Sequence, residues 1–151
     1  MTVVLAASAV AVLVMMVALW VVSLLIANAS IVDLFWGLGF VLIAWVAVWV
    51  VPDVPARGHL AAWLVTSWGV RLATHLTIRN VGHGEDFRYR AMRAHHGARF
   101  PLVSLGTVFL LQGVLMWVVS LPVQAAVGLG AQPIGWLDRA AIGLVLIGLV
   151  F

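Results

Sequence analysis

VVLAASAVAVLVMMVALWVVSLLIA, residues 3–27, is a run of 25 residues whose only polar side chains are two serines. A helix of about 20 apolar residues is long enough to cross the hydrocarbon core of a bilayer. The run is too long for the apolar core of a signal peptide, and another apolar run follows after Asn28, Ala29 and Ser30. We therefore expect it to be a retained first membrane span.

The composition of the whole chain supports the same class of protein. Hydrophobic residues make up 65% of the sequence and charged residues 9%, with a mean hydropathy of +1.19. A soluble domain usually has roughly a quarter of its residues charged. The sequence therefore predicts an all-α, polytopic transmembrane helical bundle.

Charge and cysteine content exclude several functions. The net charge is +3, but the excess of arginine lies in one segment between apolar runs, so nucleic acid is not an expected partner and membrane lipids are. The absence of cysteine excludes disulfides, a thiolate nucleophile and a cysteine-based metal site.

Five apolar segments follow one another along the chain. They cover about residues 3–27, 31–51, 60–78, 101–123 and 136–151. The stretches VPDVPARG (51–58) and VGLGAQPIG (127–135) are rich in proline and glycine and are expected to be turns. The last purely apolar run, residues 140–151, has 12 residues and would span only about 18 Å as a helix. We predict four complete spans and a partial fifth in a single membrane domain, 1–151, that is the amino-terminal part of a longer one.

The arginines predict the orientation. Residues 79–101 contain five of the eight basic residues, whereas the loop 52–59 contains only Arg57. By the positive-inside rule the polar segment 79–100 is cytoplasmic, which places the amino terminus outside.

Asp33 is the first candidate for a functional residue. A carboxylate near the start of a span must be paired, hydrated or at the interface. It could simply cap the second helix at the positive end of the helix dipole, or it could be the carboxylate of a pocket. Gly37 lies one turn further on the same face, where a missing side chain would let another helix or a ligand approach.

The third apolar segment carries a polar stripe. Ser67, Arg71, His75 and Arg79 recur at intervals of four, which keeps one face of a helix polar. Arg71 would lie roughly 12 Å from Arg79 along the axis and so near the middle of the bilayer. Such an arginine faces the bundle interior or a hydrated cavity. It could form a structural ion pair, for instance with Asp33, or line a wet pocket open to the cytoplasm.

The polar segment itself is expected to contain a turn at residues 81–84 and a short amphipathic helix from Asp86 to His96. Acidic residues in its first turn and Gly97 after its last are typical of helix ends. Asp86 can pair with Arg90 four residues later. An apolar face of Phe87, Ala91 and Ala94 would suit a helix lying on the membrane interface; a solvated loop that only fixes topology is the alternative.

The histidines of the polar segment do not have the spacing of a metal site. His83, Glu85, His95 and His96 are near one another in sequence, but no HExxH motif or other paired-ligand pattern occurs. We expect no metal. Nucleotide-binding glycine motifs are absent as well.

Four blocks in a fixed order resemble a known family. They are VDLFWGLGF (32–40), TSWGVRLATHLTIRN (66–80), GHGEDFRYRAMRAHHG (82–97) and SLGTVFLLQGVLMWVVSLPV (104–123). The chain resembles the DUF1295 family of bacterial membrane proteins, within the steroid 5α-reductase-like superfamily. That resemblance implies a multi-pass protein of the bacterial plasma membrane.

Members similar to 5α-reductases use NADPH to reduce an activated carbon–carbon double bond. The resemblance therefore implies a reductase of a lipidic enone or polyprenoid-like substrate. It places Asp33 and Trp68 at the catalytic position, with Trp68 where the steroid enzymes have a tyrosine. It also implies a cofactor site formed by several basic side chains. These are Arg71, His75, Arg79, Arg88, Arg90 and Arg93.

The carboxy-terminal signature of that superfamily, an Arg-His-Pro-Asn-Tyr pattern, does not occur in residues 1–151. We therefore expect the chain to be truncated before it and inactive alone. Two alternatives stay open. One is a membrane methyltransferase similar to isoprenylcysteine methyltransferases, which use S-adenosylmethionine, and the other is a non-catalytic membrane binding or scaffold subunit.

Overall fold

The structure, a computed structural model, describes residues 1–80, 82–129 and 133–150, and these contain helices and turns but no strand. The helices are α1 Thr2–Leu25, α2 Ile31–Val50, α3 Ala56–Asn80, α4 Phe87–His96, α5 Phe100–Ser104, α6 Leu111–Val119, α7 Leu121–Leu129 and α8 Trp136–Val150. A 3-10 turn, Gly97–Arg99, joins α4 to α5, and a π-helical turn, Leu105–Leu110, joins α5 to α6. The predicted all-α fold is confirmed.

Three helical stretches of the described residues are long and apolar enough to cross a membrane. They are Thr2–Leu25, Ile31–Val50 and Phe87–Val119. The predicted third span forms α3, whose 25 residues are long enough, but this helix is interrupted by arginines and histidines and is not among the three. The protein is therefore an integral membrane protein by composition and helix length, while the count of four complete spans and the outside amino terminus remain predictions.

Most helix ends lie close to those expected, but α7 runs on to Leu129, so residues 127–129 of the expected turn 127–135 are helical. The chain reverses at residues 28–30, between the first two apolar segments, and Ala27 there has a φ of 51°. The amide of Asn28 donates to the carbonyl of Ser23 at 3.0 Å, which closes the end of α1. α3 begins at Ala56, four residues before the expected start, directly after Pro55. Val81 and residues 130–132, parts of two expected turns, and Phe151 lie outside the described residues.

α2 and α3 cross in contact at two glycines. A Cβ atom built on Gly37 would lie 2.5 Å from the carbonyl oxygen of Gly69, and one on Gly69 would lie 2.5 Å from the carbonyl oxygen of Gly37. Neither helix could approach so closely with any larger residue at the crossing. The expectation that Gly37 admits another helix is thus confirmed, and the helix is α3.

α4 does not continue the line of α5 and α6. Gly97 follows α4 with a φ of 51°, a left-handed conformation that ends an α-helix. The side-chain nitrogen of Gln112 in α6 is 3.4 Å from the hydroxyl of Tyr89 in α4. In one straight helix these residues would be about 34 Å apart, so α4 folds back against the bundle and the uninterrupted apolar part begins at Phe100.

The far end of the bundle is held by a buried polar network. The hydroxyl of Ser8 in α1 donates to Oε1 of Gln124 in α7 at 2.7 Å, and Nε2 of Gln124 donates to the hydroxyl of Ser120 at 2.8 Å. All three side chains are buried. A polar group without a hydrogen-bond partner is unfavourable in an apolar environment, so these paired side chains hold α1 against α7.

Candidate functional site

Asp33 lies at the centre of a polar cluster at the start of α2. The hydroxyl of Tyr89 donates to its Oδ1 at 2.9 Å, and Nη2 of Arg88 donates to its Oδ2 at 3.1 Å. Nε2 of Gln112 donates in turn to the hydroxyl oxygen of Tyr89 at 3.4 Å. Helices α2, α4 and α6 thus each contribute a side chain to one connected hydrogen-bond network.

A second set of contacts holds the segment before α4 on the turn between α1 and α2. Oε1 of Glu85 accepts from the amide of Ala29 at 2.8 Å, and the amide of Asp86 donates to the hydroxyl of Ser30 at 2.7 Å. The guanidinium of Arg93 grips Glu85 with two hydrogen bonds, of 2.8 and 3.1 Å. We call the set of these five residues the polar clamp: Ala29, Ser30, Glu85, Asp86 and Arg93.

Charge and hydrogen bonds keep the two carboxylates of the polar clamp ionised. Burial raises the pKa of Glu85, but hydrogen bonds from Arg93 and Ala29, together with nearby positive charge, outweigh burial and hold the pKa below its ordinary value. The side chain of Arg88 and then its amide, by hydrogen bonding, lower the pKa of Asp86. Asp86 also caps α4 through that amide, so it stands just before the helix rather than in its first turn, where the sequence analysis placed it.

The ion pairs of the polar segment differ from the expected one. Asp86 pairs with Arg88, at 2.9 Å from Nε to Oδ1, rather than with Arg90. The physical reason is that Asp86 stands at the N-cap, outside the helix, so its side chain turns back towards the first turn instead of along the helix face. Arg88 then bridges Asp86 and Asp33.

These groups border a cleft of about 520 Å³ between the start of α2, the end of α3 and the segment leading into α4. Trp36, Leu72 and Leu76 form an apolar wall, and Asp33 and Gln112 belong to the polar lining. Arg79 and Arg90 also line the cleft and, within the described parts of the chain, neither forms an ion pair. The cleft is thus bordered by the carboxylate–phenol–amide network and by two arginines outside any ion pair, of which Arg90 is near enough to help lower the pKa of Glu85 and Asp86.

Four of the eight predicted catalytic and cofactor-binding residues line this cleft: Asp33, Arg79, Arg88 and Arg90. Arg93 does not line the cleft but is hydrogen-bonded to Glu85, which does. Its guanidinium carbon lies 4.1 Å from the centroid of the Phe100 ring.

The other three predicted site residues lie elsewhere. Arg71 and His75 are on an exposed face of α3, together with Ser67, and none of them lines the cleft. Trp68 is 39% exposed, and its ring meets that of Phe40 edge-on at 5.6 Å. Asp33 takes Arg88 and Tyr89 as its partners, so the suggested pair between Asp33 and Arg71 does not form.

Tyr89 and Gln112 were not among the site residues predicted from the sequence. Tyr89 is the single tyrosine of the chain, and its side chain is 6% exposed. Gln112 is the single amide of the span 101–123, which contains no charged side chain. A lone polar side chain in a membrane helix is costly unless it has a partner, and this was the available signal for Gln112.

A second cavity, of about 310 Å³, lies between α1 and α6 and is almost wholly apolar. Val12, Met16, Gly113 and Trp117 are among its lining residues. Gly113 directly follows Gln112, so the same turn of α6 borders both the polar cleft and the apolar groove.

The described residues bring no three histidine, aspartate or glutamate side chains into a group that could hold a metal ion. A family model described as "Protein of unknown function (DUF1295)" matches residues 19–151. No curated protein and no solved structure matches the chain.

Proposed function

The chain belongs to the DUF1295 family, and we propose that it forms part of a membrane reductase that uses NADPH to reduce a carbon–carbon double bond conjugated to a carbonyl in a lipidic substrate. The observation that carries this proposal is the cleft in which Arg79 and Arg90 stand free of ion pairs beside the Asp33–Tyr89–Gln112 network. The family description assigns no function, so the proposal rests on the chemistry of these residues and on the resemblance described above.

The cations favour a phosphate-bearing cofactor. Guanidinium groups bind phosphate oxygens through paired, charge-assisted hydrogen bonds. Arg88 and Arg93 are already committed to carboxylates, whereas Arg79 and Arg90 would meet the phosphates. S-adenosylmethionine has no phosphate, and its single carboxylate is accompanied by an ammonium and a sulfonium cation, so it offers these arginines much less negative charge. The donor set of the cleft therefore fits NADPH better than the cofactor of the methyltransferase alternative.

NADPH, when bound, would supply a hydride to the β-carbon of the substrate and leave as NADP⁺, and a proton from solvent would complete the reduction at the α-carbon of the resulting enolate. The protein must then stabilise the negative charge that develops on the carbonyl oxygen, and N–H donors fixed in advance are suited to this. Gln112 gives one amide hydrogen to Tyr89 and has a second for another acceptor. The indole of Trp36 lines the cleft and donates no hydrogen bond to any described residue. These two groups are the donors that we assign to the substrate carbonyl.

Asp33 and Tyr89 have a positioning role in this proposal. The carboxylate of Asp33 accepts hydrogen bonds from both Tyr89 and Arg88 and thereby fixes the phenol to which Gln112 is bonded. Trp68 contributes through packing, since its ring contacts Phe40, which in turn meets Trp36 edge-on at 5.7 Å. The apolar groove beside Gly113 would accommodate hydrocarbon, in keeping with a lipidic substrate.

The test is the thermal stability of the purified full-length protein in detergent with each cofactor. We expect NADPH to raise the melting temperature (Tm) and S-adenosylmethionine to leave it unchanged, because binding to the native state stabilises it. The double variant Arg79→Ala/Arg90→Ala should lose the NADPH effect, and Arg139→Ala, which removes an exposed arginine on α8, should keep it. Stabilisation by S-adenosylmethionine alone would support the methyltransferase alternative, and no response to either would support a non-catalytic subunit.

A further inference from the structure

The outward face of α4 is apolar although the helix already buries its opposite face. Tyr89 is buried and Met92 packs on the core, whereas Ala91 and Ala94 are exposed and Phe87 is 69% exposed. The helix therefore has an apolar strip that no described residue covers. A strip of this kind on a helix bordering a membrane span is typical of a segment lying in the headgroup layer.

Arg99 follows this strip and has no protein partner. It is exposed in the turn between α4 and α5, and within the described ranges it forms neither an ion pair nor a hydrogen bond through its side chain. By contrast, Arg88 and Arg93 of the neighbouring helix are held by carboxylates. A guanidinium with free donors is suited to bind a phosphate by two parallel hydrogen bonds.

The depth of Arg99 is set by the residues that follow it. Phe100, one residue on, is buried in the core, and Leu102, three residues on, is 74% exposed. Leu102 stands at the start of the apolar span, where an exposed side chain meets hydrocarbon. Three residues correspond to about 4.5 Å along a helix axis, so Arg99 lies just outside the hydrocarbon, at the depth of the phosphate groups.

We propose that Arg99, with the exposed apolar strip of α4, binds the headgroup phosphate of an anionic phospholipid in the adjoining leaflet. The free cation provides charge complementarity, and continuity with the span at Leu102 places the surface against lipid. Arg99 does not line the cleft, whereas Phe87, at one end of the strip, does. The lipid site therefore adjoins the proposed cofactor site but takes its cation from outside it.

The experiment compares the Tm of the chain in nanodiscs of phosphatidylcholine with that in nanodiscs containing phosphatidylglycerol. We expect phosphatidylglycerol to raise the Tm, Arg99→Gln to lose at least half of that increase, and Arg139→Gln, which removes an exposed arginine on another helix, to keep it. Inorganic phosphate added to phosphatidylcholine nanodiscs should give no increase that Arg99→Gln removes. Arg99→Gln should retain the response to NADPH, which separates failure of this proposal from failure of the proposed function.

Three results would overturn the lipid site. They are equal stability in the two lipids, an equal loss in both arginine variants, and an increase with inorganic phosphate that is as large as that with phosphatidylglycerol and is lost in Arg99→Gln. The last of these would show a free-anion site rather than a headgroup site.

Discussion

The hydroxyl of Tyr89 donates a 2.9 Å hydrogen bond to Oδ1 of Asp33, which is 56 positions earlier in the chain. The bond ties α4, within the polar segment, to the start of α2, and the same hydroxyl accepts a hydrogen bond from Gln112 of α6. Replacement of Tyr89 by Phe removes only the hydroxyl, leaving Asp33 short of a donor. Because buried hydrogen bonds to charged groups are among the stronger ones, we expect a loss of about 1–3 kcal/mol. Thermal unfolding in detergent measures it.

The matched control for that variant is Phe87→Leu, since Phe87 is an exposed aromatic residue on the same helix. It should change the Tm little. If Tyr89→Phe were as stable as the wild type, the network would not contribute to the fold.

The polar clamp makes a second prediction. Glu85→Gln keeps the shape of the side chain but removes the charge that Arg93 grips with two hydrogen bonds. The side chain of Glu85 is only 8% exposed, so Arg93 would lose a partner shielded from water. We expect a loss of about 1–3 kcal/mol, and we expect faster proteolysis in the segment before α4.

Asp53→Asn is the control for the clamp, because Asp53 is exposed and is not among the paired carboxylates of the described residues. Equal proteolysis rates for Glu85→Gln, Asp53→Asn and the wild type would contradict a clamping role.

The contact between Gly37 and Gly69 predicts that neither position tolerates alanine. A Cβ atom at either site would lie 2.5 Å from a backbone carbonyl oxygen, so α2 and α3 would have to move apart. Overpacking of this kind costs about 1–3 kcal/mol, and the Tm should fall. Gly143→Ala on α8 is the control, because its Cβ would meet nothing within 4 Å. A Tm equal to that of the control would show that α2 and α3 accommodate the added methyl group without loss of stability.

Acid should destabilise the end of the bundle that the polar clamp holds. The pKa values of Glu85 and Asp86 are lowered in the folded state, so their contribution is present above their unfolded pKa values, which are about 4. This contribution to stability is lost as the pH falls from the unfolded pKa values through the folded ones, because the unfolded chain binds protons at a higher pH than the folded chain does. A Tm profile between pH 7 and 3 should decline in the acidic range, and Glu85→Gln/Asp86→Asn should flatten it. An unchanged slope in that double variant would assign the decline to other groups.

The resemblance to NADPH-dependent enzymes makes one prediction for α3. Arg79 lines the cleft, whereas Arg71 lies on the exposed face of the same helix. Arg79→Ala should reduce the NADPH-dependent increase in Tm. If Arg71 also contacts the cofactor, Arg71→Ala should reduce it as well; an unchanged increase would return Arg71 to a structural role.

Much of the fold could be predicted because its signals are local. Runs of apolar residues mark α1 and α2, while Asp86 and Gly97 mark the two ends of α4. Gly37 was singled out because it lies one turn from Asp33, and the structure shows α3 against it. Each of these inferences uses only neighbours within one or two helical turns.

The site was harder to predict because its contacts are distant in sequence. Spacing alone could not reveal that Asp33 meets Tyr89, or that Gln112 completes the network from α6. The stripe of Ser67, Arg71 and His75 illustrates the opposite problem. Periodicity correctly placed these residues on one face, but it could not say which neighbour, if any, that face would meet.

The polar clamp also constrains how the chain is threaded through the bilayer. Ala29 and Ser30 precede α2, Glu85 and Asp86 follow α3, and the two pairs are hydrogen-bonded to each other. Both must therefore be on one side, so any bilayer that α2 crosses must be recrossed by α3. Although α3 is not among the three stretches recognised as spans by composition, the clamp predicts that it is the return passage and that Arg71, near its middle, lies within the membrane.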